Sequence, residues 1–287
     1  MNLLFTNRVE RIIELASGKV GDQQVLTPSH LFIAMCEENS GVCAELFHYF
    51  VKEYGYSFIH DFSEKIEPFH LSPIFLPSIS VPVSPETRNI IDYAEKRMHR
   101  YNQMQLNEGH LMQALLKLES GIFSSLTEQD KNVIQQIVCT ARDLFVHMDD
   151  YEIPLAVGRV DMIKKATLDD KEALIQMVEK EFESGWLSSI NNGFEKNDIS
   201  IYLVKENQRI LGFACYESHA KRRGTFGPMG VVKTKRQKGI GEMLLHHCLA
   251  ELKSKRYKYV VIEGAGPIGF YEKACDAVVI PLKFIGG

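Results

Sequence analysis

Met229-Gly230-Val231-Val232-Lys233-Thr234-Lys235-Arg236-Gln237-Lys238-Gly239-Ile240-Gly241 decides how this chain reads. A β-branched, small-residue run feeds a basic, glycine-containing turn, and the turn opens into a helix. Ile240, Leu244, Cys248 and Leu252 recur at four-residue spacing, and Leu245 and Leu249 widen the stripe. Gly239 and Gly241 lack side chains, so a ligand can approach the backbone closely where the helix starts. Unpaired N–H groups there, with the positive end of the helix dipole, attract a phosphate or diphosphate. Arg236 and Lys238 add formal positive charge. The spacing is neither Gly-x-x-x-x-Gly-Lys-Ser/Thr nor a full Gly-x-Gly-x-x-Gly, which excludes those two phosphate loops.

The surroundings extend the pattern. Downstream, Tyr257 to Ile262 reads as a strand, Gly264-Ala265-Gly266-Pro267 as a turn, Gly269-Phe270-Tyr271-Glu272-Lys273 as the start of a short helix, and Asp276 to Ile280 as a strand. Upstream, the reading gives a strand over Val160 to Thr167, a helix from Leu168 to Glu183, strands over Ser200 to Val204 and Ile210 to Glu217, and a strand from Thr225 to Val232. The order β-α-α-β-β-β-α-β-α-β predicts a mixed sheet flanked by helices.

Arg236-x-x-Gly239-x-Gly241, preceded by Val231, resembles the acetyl-CoA signature of the GNAT family of N-acetyltransferases, and Phe270-Tyr271-Glu272-Lys273 falls at the matching distance. The resemblance implies acetyl transfer from acetyl-CoA, as co-substrate and without a metal, to a small-molecule or protein amine. It implies that Val231 and Val232 pair by backbone with the pantetheine arm. Lys233, Arg236, Gln237, Lys238, Gly239, Ile240, Gly241 and Glu242 complete the cofactor-binding set, with 236–241 at the diphosphate. Tyr271 matches the general-acid tyrosine. For the base, the strand-end carboxylate Glu217 comes first and Glu263 second, with His219 third. A backbone N–H of 225–232 is the candidate oxyanion donor. Phe182 to Phe194, with the single tryptophan Trp186, is expected to line the acceptor side. Two positions depart from the family: Lys233 replaces a proline, and only Asp276 to Gly287 follows the Tyr271 helix where two strands are usual. The last strand is therefore expected to be short, missing or supplied by a partner molecule, with the pocket completed by a homodimer or by the N-terminal module.

The first half repeats itself. Ile12-Ile13-Glu14-Leu15-Ala16 matches Ile90-Ile91-Asp92-Tyr93-Ala94, and His30-Leu31, Ala34, Ser40-Gly41-Val42 and Leu46 match His110-Leu111, Ala114, Ser120-Gly121-Ile122 and Leu126. Each unit reads as helix, loop, helix, turn, helix, with Thr27-Pro28 and Asn107 as helix-start signals. His30 and His110 read as packed, hydrogen-bonded residues, since no metal-ligand spacing recurs. Five prolines (Pro68, Pro73, Pro77, Pro82, Pro85) mark 67–85 as an extended tether. The pair of units resembles the duplicated N-terminal domain of Clp-family unfoldases, a module that captures substrates or adaptors. The glutamates that bind phosphoarginine in some members fall at Ser29 and Gly109, so the resemblance does not extend to that activity.

The predicted fold class is multidomain: an all-α duplicated Clp-N-like domain over 1–147, a linker over 148–158, and an α/β mixed-sheet GNAT domain over 159–287. Charge divides with it. Residues 1–150 hold 12 Lys and Arg against 20 Asp and Glu, whereas 151–287 hold 21 against 17. Seven basic residues lie between Lys221 and Lys238, a patch that suits the phosphates of CoA. Without overall basicity or aromatic interleaving, nucleic acid is not the expected partner. No 18-residue apolar run predicts a membrane span. Six cysteines without a Cys-x-x-Cys pair predict a reducing, cytoplasmic setting. The competing reading is a non-catalytic acyl-CoA sensor or adaptor making protein contacts through its helical domain. A third reading, protein acetylation guided by that domain, rests on the fusion alone.

Overall fold

The computed structural model describes residues 3–283 except 22–24, 65, 67–72, 102, 119–122, 124, 155–161, 183, 220–221 and 237–238. The chain forms two compact units, Met1–Ala141 with Pro281–Gly287, and Arg142–Ile280.

The first unit is all-α. Its described helices are α1 (Asn7–Gly18), α2 (Pro28–Glu37), α3 (Gly41–Tyr54), α4 (Phe58–Ser63), α5 (Pro85–Arg100), α6 (Glu108–Leu118) and α7 (Glu128–Val138). The repeated residues are the core: Ile12, Ile13, Ile90, Ile91, Leu31, Leu111, Ala34 and Ala114 are buried. Two reciprocal bridges express the twofold. Phe5, ahead of α1, pairs with Leu106, ahead of α6, and Leu26, ahead of α2, pairs with Val83, ahead of α5.

The two histidines cap helices. The Thr27 N–H donates to Nδ1 of His30 at 3.2 Å, and the Asn107 N–H donates to Nδ1 of His110 at the same distance. Asn107 Oδ1 in turn accepts from the His110 N–H at 2.9 Å. Each ring nitrogen thus satisfies a backbone donor that the helix start leaves open. Glu108 is buried and accepts from Arg8 Nη1 at 3.0 Å. Within the expected tether, 67–72 lie outside the described residues, Ile74 pairs with Val83, and Pro85 is the first residue of α5 behind the Ser84 cap. Gly121 also lies outside the described residues.

The second unit is a seven-stranded mixed sheet of β1 (Arg142–His147), β2 (Ile163–Lys165), β3 (Ile201–Glu206), β4 (Arg209–Tyr216), β5 (Thr225–Val231), β6 (Tyr259–Ala265) and β7 (Val278–Val279). Its spatial order is β2-β3-β4-β5-β6-β1-β7. Its helices are α8 (Lys171–Glu181), α9 (Leu187–Phe194), α10 (Ile240–Ser254) and α11 (Ile268–Cys275). Leu174, Val178, Ile190 and Phe194 of α8 and α9 pack against Ile201, Leu203, Phe213 and Cys215. The alternate residues face α10: Cys248 Sγ lies 3.9 Å from the Ala214 carbonyl, and His247 packs on Tyr202.

From β2 onward the elements follow the expected order, with one correction at its ends. Residues 142–147, expected to close the helical domain, form β1 of the sheet, inserted antiparallel between β6 and β7. Of the three outcomes expected for the last strand, the short one is found: β7 has two residues after α11, and β1 of this same chain lies beside it. The boundary falls at Ala141/Arg142, not at 147. The expected linker is also partly structured. The Met148 N–H donates to the Lys258 carbonyl at 2.9 Å, and Tyr151 is buried with its hydroxyl 2.7 Å from His246 Nδ1. Its residues 155–158 lie outside the described set.

Candidate active site

β5 and β6 are the parallel pair of the sheet, and their register holds at Thr225↔Val261 and Phe226↔Ile262. Among the described residues no pairing continues beyond that point, so the strands part and leave the β6-facing edge of 227–231 open. Gly227 sits at the fork with φ +121°, where a side chain is strained.

At the far end of β5, the Val232 N–H donates to the Leu211 carbonyl at 2.9 Å, and a 3-10 turn covers Lys233–Lys235. Arg236 Nε donates to the Val231 carbonyl at 3.0 Å and braces the turn against the strand, while Lys235 pairs with Glu206 at 2.6 Å. Gly239 is the N-cap of α10 with φ +74° and no side-chain cap. The N–H groups of Ile240, Gly241 and Glu242 therefore begin the helix without a capping oxygen, an arrangement that binds anions. A Cβ on Gly241 would meet Met229, Phe270 and Val231 at 3.7–3.8 Å, which puts that bare backbone beside β5 and α11. Gln237 and Lys238 lie outside the described residues.

Tyr271, on α11, packs edge-on against Phe226 with ring centroids 6.1 Å apart, level with the last β5–β6 pair. Burial, with a smaller contribution from Cys275, pushes its pKa up. Among the described residues its hydroxyl has no hydrogen-bond partner.

The two carboxylates differ. Glu217, at φ +48°, is buried and accepts from Tyr257 Oη at 2.5 Å, Lys255 Nζ at 3.0 Å and the Gly224 N–H at 3.4 Å. Burial alone would raise its pKa, but the Tyr257 and Lys255 hydrogen bonds hold it below the usual carboxylate value. Glu263 lies on β6 one residue past the last β5–β6 pair, and strand alternation turns it away from the buried Ile262. Its Oε2 is 3.2 Å from Nε2 of His219, and its Oε1 accepts from Arg222 Nη1 at 2.6 Å. The fold thus joins the second and third base candidates in one pair and keeps Glu217 in a separate cluster.

Phe182 and Trp186 stack at 5.1 Å, and a Cβ on Gly230 would fall 2.7 Å from the Phe182 ring. Glycine at 230 is what lets these aromatics lie against β5. The basic patch does not stay whole. Arg222 and Arg223 precede β5 whereas Lys233, Lys235 and Arg236 follow it, and a seven-residue strand spans roughly 23 Å at about 3.3 Å per residue. The Arg222 contact escaped sequence reading because it joins the hairpin tip to β6, 41 residues on. The usable signal was that strand length between the two basic runs. Among the described residues no three His, Cys, Asp or Glu side chains gather as a metal site.

Residues 165–276 match the acetyltransferase (GNAT) family, and this chain carries a GNAT domain there. No curated protein matches the chain. Among solved structures it is similar to a GCN5-related glucosamine N-acetyltransferase region of a fungal multi-domain GH3 β-N-acetylglucosaminidase, at 15% identity and TM-score 0.42 over 54% of this chain and 22% of that one. It is similar to a GCN5-related N-acetyltransferase from Sphaerobacter thermophilus, at 19% identity and TM-score 0.38 over 53% of this chain and 54% of that one. It is also similar to the N-terminal domain of the caseinolytic protease-associated chaperone ClpD from Arabidopsis thaliana, at 11% identity and TM-score 0.33 over 47% and 91%. The chain spans about a fifth and about half of the first two of these proteins. GNAT enzymes use acetyl-CoA as co-substrate and act on amines. Among the described residues no helix is long and apolar enough to cross a membrane.

Proposed function

We propose that this chain is an N-acetyltransferase that moves an acetyl group from acetyl-CoA to an amine by direct attack in a ternary complex. The parting of β5 from β6 after Phe226↔Ile262 carries the reading, because it opens a slot with an uncapped helix start at one end and Tyr271 and Glu263 at the other. In this reading the diphosphate lies on the N–H groups opening α10, with Arg236, Gln237, Lys238 and Lys233 around it and Glu242 in the first helical turn. The pantetheine arm runs along the backbone of Val231 and Val232 on the edge of β5 that β6 leaves unpaired, the Val232 N–H itself being given to Leu211.

An ammonium with a pKa near 10 must lose a proton before it attacks, and the His219–Glu263 pair takes it. Glu217, held low by Tyr257 and Lys255, braces the hairpin tip instead. The neutral nitrogen bonds to the thioester carbonyl carbon, and an open N–H of β5 stabilises the oxyanion. The C–S bond then breaks with its electron pair on sulfur, which takes the proton of Tyr271. A thiol ordinarily ionises near 8.5, below this phenol, so the transfer is completed when the second nitrogen proton returns to Tyr271. The other proton goes to solvent. Thiol release from acetyl-CoA in the presence of amines tests the reading; acetyl-CoA that binds and is never turned over would replace the enzyme with a sensor.

A further inference from the structure

The acceptor side of the fork has a charge pattern that acetyl transfer alone does not require. Between Glu217 and Thr225 the sequence Ser218-His219-Ala220-Lys221-Arg222-Arg223-Gly224 carries three formal positive charges, of which Arg222 and Arg223 are described at the hairpin tip. Arg222 holds Glu263 through a single nitrogen, Nη1, with 64% of its side chain exposed. A guanidinium has five donors in a fixed fork, so the rest of this one remains to face a ligand. Arg223 is exposed and has no ion-pair partner among the described residues. Lys196 lies near the same tip. Burial lowers its pKa first, Glu217 opposes that, and Lys255 and Arg223 lower it further. The carboxylates at the tip are Glu217, Glu263 and Asp143, which faces Arg222, against the cations Arg222, Arg223, Lys196 and Lys255.

Arg222 and His219 grip the two oxygens of one carboxylate, at 2.6 and 3.2 Å, which holds them within a few ångströms of each other. From this geometry we infer that the acceptor is a compact amine carrying an oxyanion, a carboxylate or a phosphate, a few bonds from its nitrogen. The nitrogen meets His219 and Glu263 while the oxyanion takes the outward donors of Arg222. A polyamine, cationic throughout, meets the same tip with like charge. The inference rests on the proposed acetyl transfer and adds the class of acceptor.

Paired acceptors test it on the full-length protein with acetyl-CoA, following thiol release. Free amino acids are compared with their amides, 2-aminoethyl phosphate with ethanolamine, and spermidine is the cationic arm. The anionic member of a pair is expected to exceed its neutral partner by about tenfold or more in kcat/KM, and the preferred pair says whether carboxylate or phosphate is the oxyanion. Arg222→Gln is expected to collapse that ratio through KM for the anionic member, and Arg222→Lys to restore part of it. Equal rates within both pairs, preference for spermidine, or an unchanged ratio in Arg222→Gln overturns the inference. Acetyl-CoA binding by calorimetry separates the two levels. Binding without turnover of any anionic acceptor refutes the acceptor class, whereas no binding refutes the proposed function itself.

Discussion

Arg142, the first residue of the sheet unit, donates from Nη2 to the carbonyl of Ile280, its last residue, 2.8 Å away and 138 residues later. The unit's two ends are thus adjacent, and β1 runs between β6 and β7 although it precedes them by the whole domain. Residues that look like the tail of a helical module are part of the sheet that holds the fork.

This placement makes a direct prediction about truncation. A chain beginning at Arg142 keeps the sheet, and one beginning at residue 159 loses the strand against β6. Within the full chain, Leu144→Ala is expected to destabilise the sheet unit by about 2–5 kcal/mol, the usual cost of emptying a fully buried leucine site. Chemical denaturation followed by circular dichroism checks both; an unchanged midpoint for Leu144→Ala would remove β1 from the core.

Tyr271→Phe removes one oxygen from a buried ring that packs on Phe226 and Phe270. Packing is retained, so acetyl-CoA affinity is expected to persist while kcat falls by about 10²–10⁴, the range for a lost proton donor. Equal turnover in the variant would show that the tyrosine is structural.

Glu263→Gln and Glu217→Gln are expected to diverge. The first removes the charge that orients His219 and lowers kcat with little change in stability. The second weakens the grip of Lys255 and Tyr257 on the hairpin tip and lowers thermal stability. Parallel melting curves and steady-state rates separate the two; a larger rate loss in Glu217→Gln would return the base to that residue.

Acid should loosen the helical unit in a defined window. Burial, then the charge of Arg97, pushes His110 down to about 4, and burial with Lys19 lowers His30. Both Nδ1 atoms accept hydrogen bonds, so the folded state favours neutral rings. Their contribution is complete above the unfolded value near 6.5 and is lost as pH falls toward about 4, with roughly 3 kcal/mol at stake for His110 at about 1.4 kcal/mol per unit. Denaturation midpoints measured across that range, with His110→Gln losing the His110 share of the dependence and keeping that of His30, check it; flat stability from pH 7 to pH 4 contradicts it.

Much of this was legible in the chain. The four-residue stripe from Ile240 to Leu252 gave α10 because every one of those residues is buried against the sheet. The Ile12–Ile90 and His30–His110 correspondences gave the duplicated helical unit because the same residues fill its core and cap its helices. β1 was not legible: Arg142 to His147 is short, follows a helix, and its partners Val261 and Val279 lie far along the sequence. Glu217 looked like a base because it ends a strand. Its engagement by Tyr257 and Lys255 depends on how a hairpin tip folds back onto the end of α10, which no spacing rule encodes.

The central claim is that the open amides of α10 hold the diphosphate of CoA. Gly241→Ala probes it indirectly: the added methyl has room, and the helix gains roughly 0.5–1 kcal/mol, while CoA affinity is expected to fall. The most direct measurement is a crystal structure of the full chain with CoA. The account predicts diphosphate oxygens about 2.7–3.2 Å from the N–H groups of residues 240–242, with the thiol beside Tyr271. CoA bound away from that helix start, with the fork between β5 and β6 unfilled, would contradict it.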